Sequence, residues 1–204
     1  MNNDDNRFIF VGVGICLIVA IIIGGVWWNY SRRIQISGKG NMTQTIEKTD
    51  NELIESAKLS GKPWVKITTT SGSFIIELRP DLAPKTVANF LEKFSTGFCK
   101  GLTFHRVEDW VVQGCDPVGN GTGGNTNLPT EISKGDFGII GAVGVARRPD
   151  KKDVSNDSQF FIVKTPAEFL NGDYTYFGQV VEGLDIIMKI KPQEKIIDTL
   201  ILSK

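Results

Sequence analysis

The sequence is poor in the side chains that metal sites and nucleophilic enzymes most often use. His105 is its single histidine, and there are three cysteines among 204 residues, so any histidine-dependent triad would have to use His105. The 23 basic and 23 acidic residues cancel, which argues against nucleic-acid binding and against an acidic solvating tail. An apolar fraction of 41% is still enough for a folded core. We therefore predict a folded domain that needs no metal and no cofactor.

The three cysteines are too few for a disulfide framework. Cys16 lies in an apolar run, which leaves Cys99 and Cys115 as the pair that could form a bridge. A bridge depends on geometry that a sequence does not carry. The interpretation we favour is two small, partly buried thiols, with the bridge as the alternative.

One long apolar run predicts a membrane anchor near the N-terminus. Residues 8–28 carry no charge and end on Trp27 and Trp28. A helix of about 20 apolar residues spans the ~30 Å bilayer core, and paired tryptophans are typical of its interface. The alternative is a cleaved signal peptide, but large aromatic residues follow the run where small ones would be expected. A lipoprotein is disfavoured because Ile15 precedes Cys16. We predict a tail (1–7), a transmembrane helix (8–28), a polar linker (29–62) and a folded domain (63–204).

Alternation of β-branched and polar residues predicts that the folded domain is mainly β. The predicted strands are 64–70, 73–79, 103–107, 110–114, 138–146, 159–164, 176–181 and 195–202. Pro84 opens a helix whose apolar stripe is Val87, Phe90, Leu91 and Phe94, and Leu184, Ile187 and Met188 indicate a second helix. Short strands with two well-separated helices favour a closed antiparallel barrel that the helices cap.

The glycine run Gly119–Gly124 fits the pattern GxGxxG of dinucleotide sites. Such a site needs a helix directly after the glycines, and the segment Asn125–Pro129 is no helix start. The glycines are better interpreted as a tight turn of the backbone against a substrate chain. A Cys–His hydrolase is also disfavoured, and we predict that His105 is a hydrogen-bonded core residue.

Two segments place polar and aromatic side chains on defined strand faces. Arg106 and Gln113 fall on neighbouring strands with apolar residues between them. In the second segment, Gln159 and Phe161 share one face and Phe160 lies on the other. This pattern suits a barrel wall with its core on one side and a groove on the other.

These segments resemble the cyclophilins, and the resemblance covers about residues 64–204. The matching segments are, in chain order, Asp81–Phe90, Phe104–Arg106, Gln113–Gly114, Gly121–Gly124, Ser158–Ile162, Phe169–Gly172 and Phe177–Val180. The resemblance implies a closed eight-stranded antiparallel barrel capped by two helices, with the active groove on one outer face. It also implies peptidyl-prolyl cis-trans isomerase activity, with proline-containing polypeptides as partners.

The resemblance assigns roles residue by residue. It implies that Arg106 and Gln113 are catalytic. The substrate-binding positions that it implies are Trp110, Val111, Ala146, Arg147, Phe161, Phe169, Leu170 and Tyr174. Phe169 replaces a tryptophan common in eukaryotic members, so cyclosporin binding is expected to be weak. Tyr174 replaces a histidine, as in bacterial-type members, and Arg147 stands where an asparagine is frequent. The segment after Arg106 is one residue shorter than usual.

The predicted function is acceleration of X-Pro bond rotation in folding proteins by a membrane-anchored monomer. The alternative is a proline-peptide binding scaffold or holdase with little turnover. Two arguments about orientation conflict. Arg32 and Arg33 after the apolar run would keep the domain in the cytoplasm by the positive-inside rule. Anchored folding helpers usually work outside the cytoplasm, and we predict an extracytoplasmic domain on a single-pass anchor in the cell membrane.

Overall fold

The computed structural model describes residues 61–202. The predicted tail (1–7) and transmembrane helix (8–28) lie outside the described residues, as does almost all of the predicted linker (29–62). Across the described range 61–202, no helix combines the length and the apolar character needed to cross a membrane.

The described chain forms eleven strands, two α-helices and one 3₁₀-helix. The strands are β1 (Trp64–Thr69), β2 (Gly72–Leu78), β3 (Thr103–Phe104), β4 (Arg106–Val107), β5 (Val111–Gly114), β6 (Thr126–Pro129), β7 (Ala142–Val145), β8 (Val154–Asn156), β9 (Phe160–Val163), β10 (Tyr176–Glu182) and β11 (Glu194–Ile201). The helices are α1 (Pro84–Ser95), the 3₁₀-helix (Glu168–Leu170) and α2 (Leu184–Lys189). The predicted mainly β class with two helices is confirmed.

Nine of these strands form one antiparallel sheet in the order β3-β11-β1-β2-β10-β7-β9-β5-β4. Its two edge strands, β3 and β4, are separated along the chain only by His105. Phe104 pairs with Glu194 at one edge, and Arg106 pairs with Gln113 at the other. The sheet therefore curls into a nearly closed barrel that the segment 103–107 joins.

The predicted count of eight strands is wrong. One reason is that the segment 103–107 changes partner at His105 and so counts as two short strands. The other is a separate two-stranded sheet of β6 and β8, which the sequence analysis did not predict. The predicted strand 138–146 is also too long, because Gly141 takes a positive φ of 85° and β7 begins only after it.

The barrel interior is packed with phenylalanine rings around Phe160. The Phe160 ring lies edge-on to those of Phe90 at 6.1 Å, Phe94 at 5.9 Å and Phe104 at 6.3 Å. Phe90 also stacks on Phe177 at 4.7 Å, which joins α1 to β10. Aromatic pairs of this kind add about 0.5–1.5 kcal/mol each beyond their buried area. This core holds α1 against the barrel.

The N-terminus of α1 is capped by a residue remote in sequence. Pro84 occupies the first turn, where its missing N–H costs no hydrogen bond. The next two free N–H groups, those of Lys85 and Thr86, donate to the carboxylate of Glu131 at 3.1 and 2.8 Å. A carboxylate at this position is also stabilised by the positive end of the helix dipole.

The second helix, α2, packs less of its surface than the sequence predicted. Of the predicted apolar positions, only Ile187 is buried.

Cys99 and Cys115 form a disulfide, with their Cα atoms 5.0 Å apart. Both residues are fully buried. The interpretation of two partly buried thiols is therefore wrong, and the alternative that was left open is correct. The loop after α1 and the end of β5 are distant in sequence but neighbours in the barrel, which is why the sequence did not favour the bridge.

Candidate active site

A pocket opens on the outer face of the barrel, opposite the phenylalanine core. Its lining comes from β4, β5, β9, the end of β7 and the chain around the 3₁₀-helix. The lining residues are Arg106, Trp110, Val111, Gln113, Ala146, Arg147, Phe161, Leu170 and Tyr174. All of them are predicted site residues. Phe169 alone among the predicted site residues lies outside this lining.

The floor of the pocket is apolar because β9 alternates. Phe160 enters the core, and Phe161 therefore points to the outer face with 5% of its surface exposed. The Phe161 ring stacks on Phe137 at 5.6 Å and meets Tyr174 edge-on at 5.7 Å. Gly144 lies directly beneath, where a Cβ atom would collide with the Phe161 ring and reach 2.8 Å from Phe137 Cε1. The absence of a side chain at Gly144 thus lets the floor lie flat.

Arg106 stands at the rim of this pocket with its guanidinium held on two sides. Its Nη1 donates to Gln113 Oε1 at 3.4 Å. Its Nε donates to Glu108 Oε1 at 2.7 Å, and its Nη2 donates to Glu108 Oε2 at 3.1 Å. The guanidinium carbon also lies 5.2 Å from the centre of the Trp110 ring, within cation–π range. The cation is therefore fixed in place while its side chain stays 41% exposed.

Glu108 is the residue of this site that the sequence analysis missed. Its hydrogen bond from Arg106 is the main reason why its pKa lies below the usual range, although partial burial acts in the opposite direction. A signal was present in the sequence. Residues at i and i+2 of an extended strand share a face, and Glu108 follows Arg106 at that spacing.

Gln113 connects Arg106 to the glycine loop through Gln159. Gln113 Nε2 donates to Gln159 Oε1 at 2.8 Å. Gln159 is buried, and its Nε2 donates to the carbonyls of Gly121 at 3.2 Å and Gly123 at 2.8 Å. The interpretation of Gly119–Gly124 as a backbone turn agrees with this geometry, and a strand, β6, follows it where a dinucleotide site needs a helix.

Asp116 organises the start of that glycine loop. Its carboxylate accepts backbone N–H bonds from Val118 at 3.0 Å, Asn120 at 2.9 Å and Gly121 at 2.6 Å. Burial raises the pKa of Asp116, but the three bonds outweigh burial and the pKa lies below its usual value. The loop is thus built around an ionised carboxylate.

His105 differs from its predicted role. It is half-buried, and its Nδ1 is buried without a hydrogen-bond partner, so the expectation of a hydrogen-bonded core histidine is wrong. Burial lowers the pKa of His105, Asp116 raises it, Arg106 lowers it further, and the net shift is downward.

Arg147 and Tyr174 form the opposite wall of the pocket. The Arg147 side chain is only 3% exposed. Its Nε donates to the carbonyl of Asp173 at 2.9 Å and its Nη1 donates to the carbonyl of Arg148 at 3.1 Å. Its guanidinium carbon lies 4.4 Å from the centre of the Tyr174 ring. Arg147 therefore links the loop after β7 to the loop after the 3₁₀-helix.

Phe169 lies beside the pocket and remains 70% exposed. Its ring meets Trp110 edge-on at 5.4 Å. The two aromatic residues form a rim next to Arg106, and of the two only Trp110 reaches the pocket interior.

Comparisons with known proteins agree on one family. Residues 64–199 match the family model described as cyclophilin type peptidyl-prolyl cis-trans isomerase/CLD. The chain is 37% identical over 142 residues to a peptidyl-prolyl cis-trans isomerase-like 2 protein of Rhizopus delemar, with 66% of this chain aligned. That match spans only about a quarter of the relative, 26% of its length. The chain is also 41% identical over 134 residues to a protein of Brucella suis named as a probable peptidyl-prolyl cis-trans isomerase, covering 59% of this chain and 67% of the relative.

Solved structures are similar as well. The crystal structure of a cyclophilin type peptidyl-prolyl cis-trans isomerase from Cryptosporidium parvum matches with a TM-score of 0.64 and 30% identity. The match covers 69% of this chain and 97% of that one. A second crystal structure of the same protein, obtained in the presence of the dipeptide Ala-Pro, matches with a TM-score of 0.63 and covers 68% of this chain and 98% of that one.

Proposed function

The chain belongs to the cyclophilin-type peptidyl-prolyl cis-trans isomerase family, and we propose that it accelerates rotation about X-Pro bonds in folding polypeptides. The observation that carries the proposal is the position of Arg106 at the rim of a pocket floored by Phe161. The rim supplies a permanent cation and the floor supplies a site for an apolar ring. The crystal structure of the Cryptosporidium relative obtained with Ala-Pro supports a proline-containing substrate.

The reaction needs few chemical groups. An X-Pro bond isomerises over tens to hundreds of seconds without a catalyst. Rotation interrupts amide resonance, so the prolyl nitrogen regains a lone pair in the twisted state while no covalent bond breaks. A donor aimed at that nitrogen stabilises the twisted state more than either planar state, which is the condition for catalysis. A guanidinium is suited to this task because it is always charged and carries five donors.

The pocket residues divide the remaining work. Val111, Phe161 and Leu170 would bury the proline ring, with Trp110 as the side wall. Gln113 Nε2 has a second hydrogen beyond the one it gives to Gln159, and this hydrogen would hold a substrate carbonyl. The remaining lining residues, Ala146, Arg147 and Tyr174, would contact the residue before the proline. Arg106 would then act on an amide that is already held on both sides.

The test is a protease-coupled isomerisation assay on an X-Pro peptide with the full-length chain in mild detergent. We expect Arg106→Ala to lower kcat/KM on the order of a hundredfold, as for loss of one transition-state donor. Arg148→Ala is the matched control, since Arg148 is 64% exposed and paired with Asp150 on the surface. A wild-type rate equal to the uncatalysed background would refute the isomerase activity, and an Arg106→Ala rate equal to a wild-type rate above background would refute the role of Arg106.

The second candidate is a scaffold or holdase that binds proline-containing chains with little turnover. The apolar floor alone would serve such a role, whereas the fixed guanidinium favours the enzyme. The isomerisation assay separates the two candidates. A scaffold would not accelerate isomerisation in the wild type or in Arg106→Ala, although both proteins would bind the peptide in a separate binding measurement.

We propose that residues 8–28 anchor this monomer in the cell membrane as a single-pass helix, with the domain outside the cytoplasm. The uncharged length of that run supports the anchor. The disulfide between Cys99 and Cys115 supports the orientation, because disulfides persist in oxidising compartments. Protease added to intact cells should cut the exposed loop that contains Lys151 and Lys152. Protection of that loop until the cells are lysed would contradict the orientation.

Two finer assignments rest on single positions. Tyr174 in place of histidine supports a bacterial-type member. Phe169, where a tryptophan is common, supports weak cyclosporin binding, since this side chain is 70% exposed and stands outside the pocket lining. Calorimetry with cyclosporin should give no tight binding, and Phe169→Trp should strengthen what binding there is.

A further inference from the structure

The three-residue connection between β4 and β5, residues 108–110, holds Glu108 in a fixed backbone position. The Glu108 N–H donates to the carbonyl of Val111 at 2.8 Å. The Glu108 carbonyl accepts a hydrogen bond from Lys164 Nζ at 2.9 Å. Both backbone groups of Glu108 are thus bonded, and its side chain extends from an anchored point towards the rim of the pocket.

Three donors from two residues of the pocket rim meet on the Glu108 carboxylate. Arg106 contributes Nε to one oxygen at 2.7 Å and Nη2 to the other at 3.1 Å. Trp110 contributes its indole Nε1 to that second oxygen at 2.8 Å. The ring of Trp110 and the guanidinium also contact each other directly. One carboxylate therefore sets the orientation of both side chains.

This arrangement leaves one edge of the guanidinium for the pocket. Glu108 takes the edge formed by Nε and Nη2. The remaining donors of Arg106 are the two hydrogens of Nη1, which face Gln113, and the second hydrogen of Nη2. A guanidinium without this partner could rotate about its side-chain torsions, and ordering it in each turnover would cost entropy.

We propose that Glu108 is a positioning residue of the active site, which turns the Nη1 edge of Arg106 towards the substrate and holds the Trp110 ring as the wall of the pocket. The inference rests on the proposed isomerase activity. The lowered pKa of the Glu108 carboxyl is consistent with it, since the carboxylate stays ionised at neutral pH. Asp109, the adjacent acidic residue, supplies a natural comparison.

The test uses the full-length chain in the isomerisation assay, with kcat and KM determined separately. Glu108→Gln keeps the shape of the side chain but removes the charge and one acceptor. We expect its kcat to fall about threefold to tenfold, as for loss of a partly exposed bidentate ion pair. KM should also rise, because the Trp110 wall is held less firmly, whereas the midpoint of thermal unfolding should stay near wild type. Glu108→Asp should recover part of kcat because it restores the carboxylate.

Asp109→Asn is the matched control, because it removes the same charge from the neighbouring position and should keep the wild-type kcat. Wild-type kcat in Glu108→Gln, or an equal fall in Asp109→Asn, would overturn the positioning role while leaving the isomerase intact. A wild-type chain without turnover would instead refute the proposed function, and the inference with it.

Discussion

Gln113 donates a hydrogen bond to Gln159 across 2.8 Å, and this contact determines which way the Gln113 amide faces. Gln159 Nε2 points at the carbonyls of Gly121 and Gly123, which can only accept. The oxygen of Gln159 must therefore face Gln113, so the amide nitrogen of Gln113 faces Gln159. The oxygen of Gln113 is left for Arg106 Nη1. The glycine loop thus orients Arg106 through two amides.

The first prediction concerns that chain of hydrogen bonds. Gln159→Leu removes the donor from two loop carbonyls and the acceptor from Gln113. We expect a loss of about 1–3 kcal/mol in the free energy of unfolding, as for unsatisfied buried polar groups. We also expect a fall in kcat/KM, because Gln113 becomes free to rotate. Urea unfolding and the isomerisation assay measure the two effects.

Gln179→Leu is the control for that change. Gln179 Nε2 also donates to a backbone carbonyl, that of Ile140 at 2.9 Å, but Gln179 does not line the pocket. Its loss should lower stability and leave kcat/KM unchanged. Equal kinetic effects of the two substitutions would show that Gln159 acts through stability alone.

The second prediction concerns the pocket floor. Gly144→Ala places a methyl group against the rings of Phe161 and Phe137. The Phe161 ring must then move towards the pocket, so KM for an X-Pro peptide should rise. Overpacking of this kind costs about 1–3 kcal/mol of stability. Phe161→Leu in the same chain should restore part of the stability by making room, and additive effects of the two changes would contradict the contact.

The third prediction concerns pH. The pKa of His105 is lowered in the folded state, mainly by burial, from the roughly 6.5 of an unfolded chain. As the pH falls below about 6.5, the unfolded state binds the proton first, so folding stability decreases. The loss should continue until the pH reaches the folded-state pKa. His105→Gln should flatten the stability profile in this window.

The measurement is simple because the chain has a single histidine. One imidazole signal in a proton NMR titration reports the folded-state pKa directly. A value at or above 6.5 would contradict the prediction. Asp116 provides an internal check, because its negative charge raises the pKa of His105. Asp116→Asn should therefore lower the pKa of His105 further.

The fourth prediction concerns the disulfide. Cys99 and Cys115 are separated by 16 positions, and closing a loop of that length contributes roughly 3 kcal/mol to stability. In a Cys16→Ser background, the denatured protein should show no free thiol before reduction. Adding a reductant should lower the unfolding midpoint and expose both thiols to alkylation. Free thiols in the unreduced protein would contradict the bridge.

The sequence predicted the mainly β class with two helices because strand and helix patterns are local, whereas the pocket residues came from the resemblance. Alternation in the segment around Phe160 and Phe161 is enough to separate core from groove. The resemblance placed Arg106, Gln113 and the apolar floor correctly in space, while their roles stay predictions. Phe169 was expected in the lining and stands beside it.

Other features depended on contacts between remote segments. The bridge between Cys99 and Cys115 and the cap that Glu131 places on α1 are examples. The small sheet of β6 and β8 was missed because its strands are short and pair across a long loop. Glu108 was missed for a different reason, since the turn that carries it departs from the family pattern on which the site prediction relied.

The junction at His105 has a consequence for how this domain meets other polypeptide chains. An open sheet presents rows of unpaired N–H and C=O groups, which can template the addition of a foreign strand. In the main sheet of residues 61–202, both outermost strands belong to the single segment 103–107, and each contains only two residues. Because its two borders are joined, the main sheet leaves almost no unpaired strand backbone, so a foreign extended chain has little to pair with along the barrel wall.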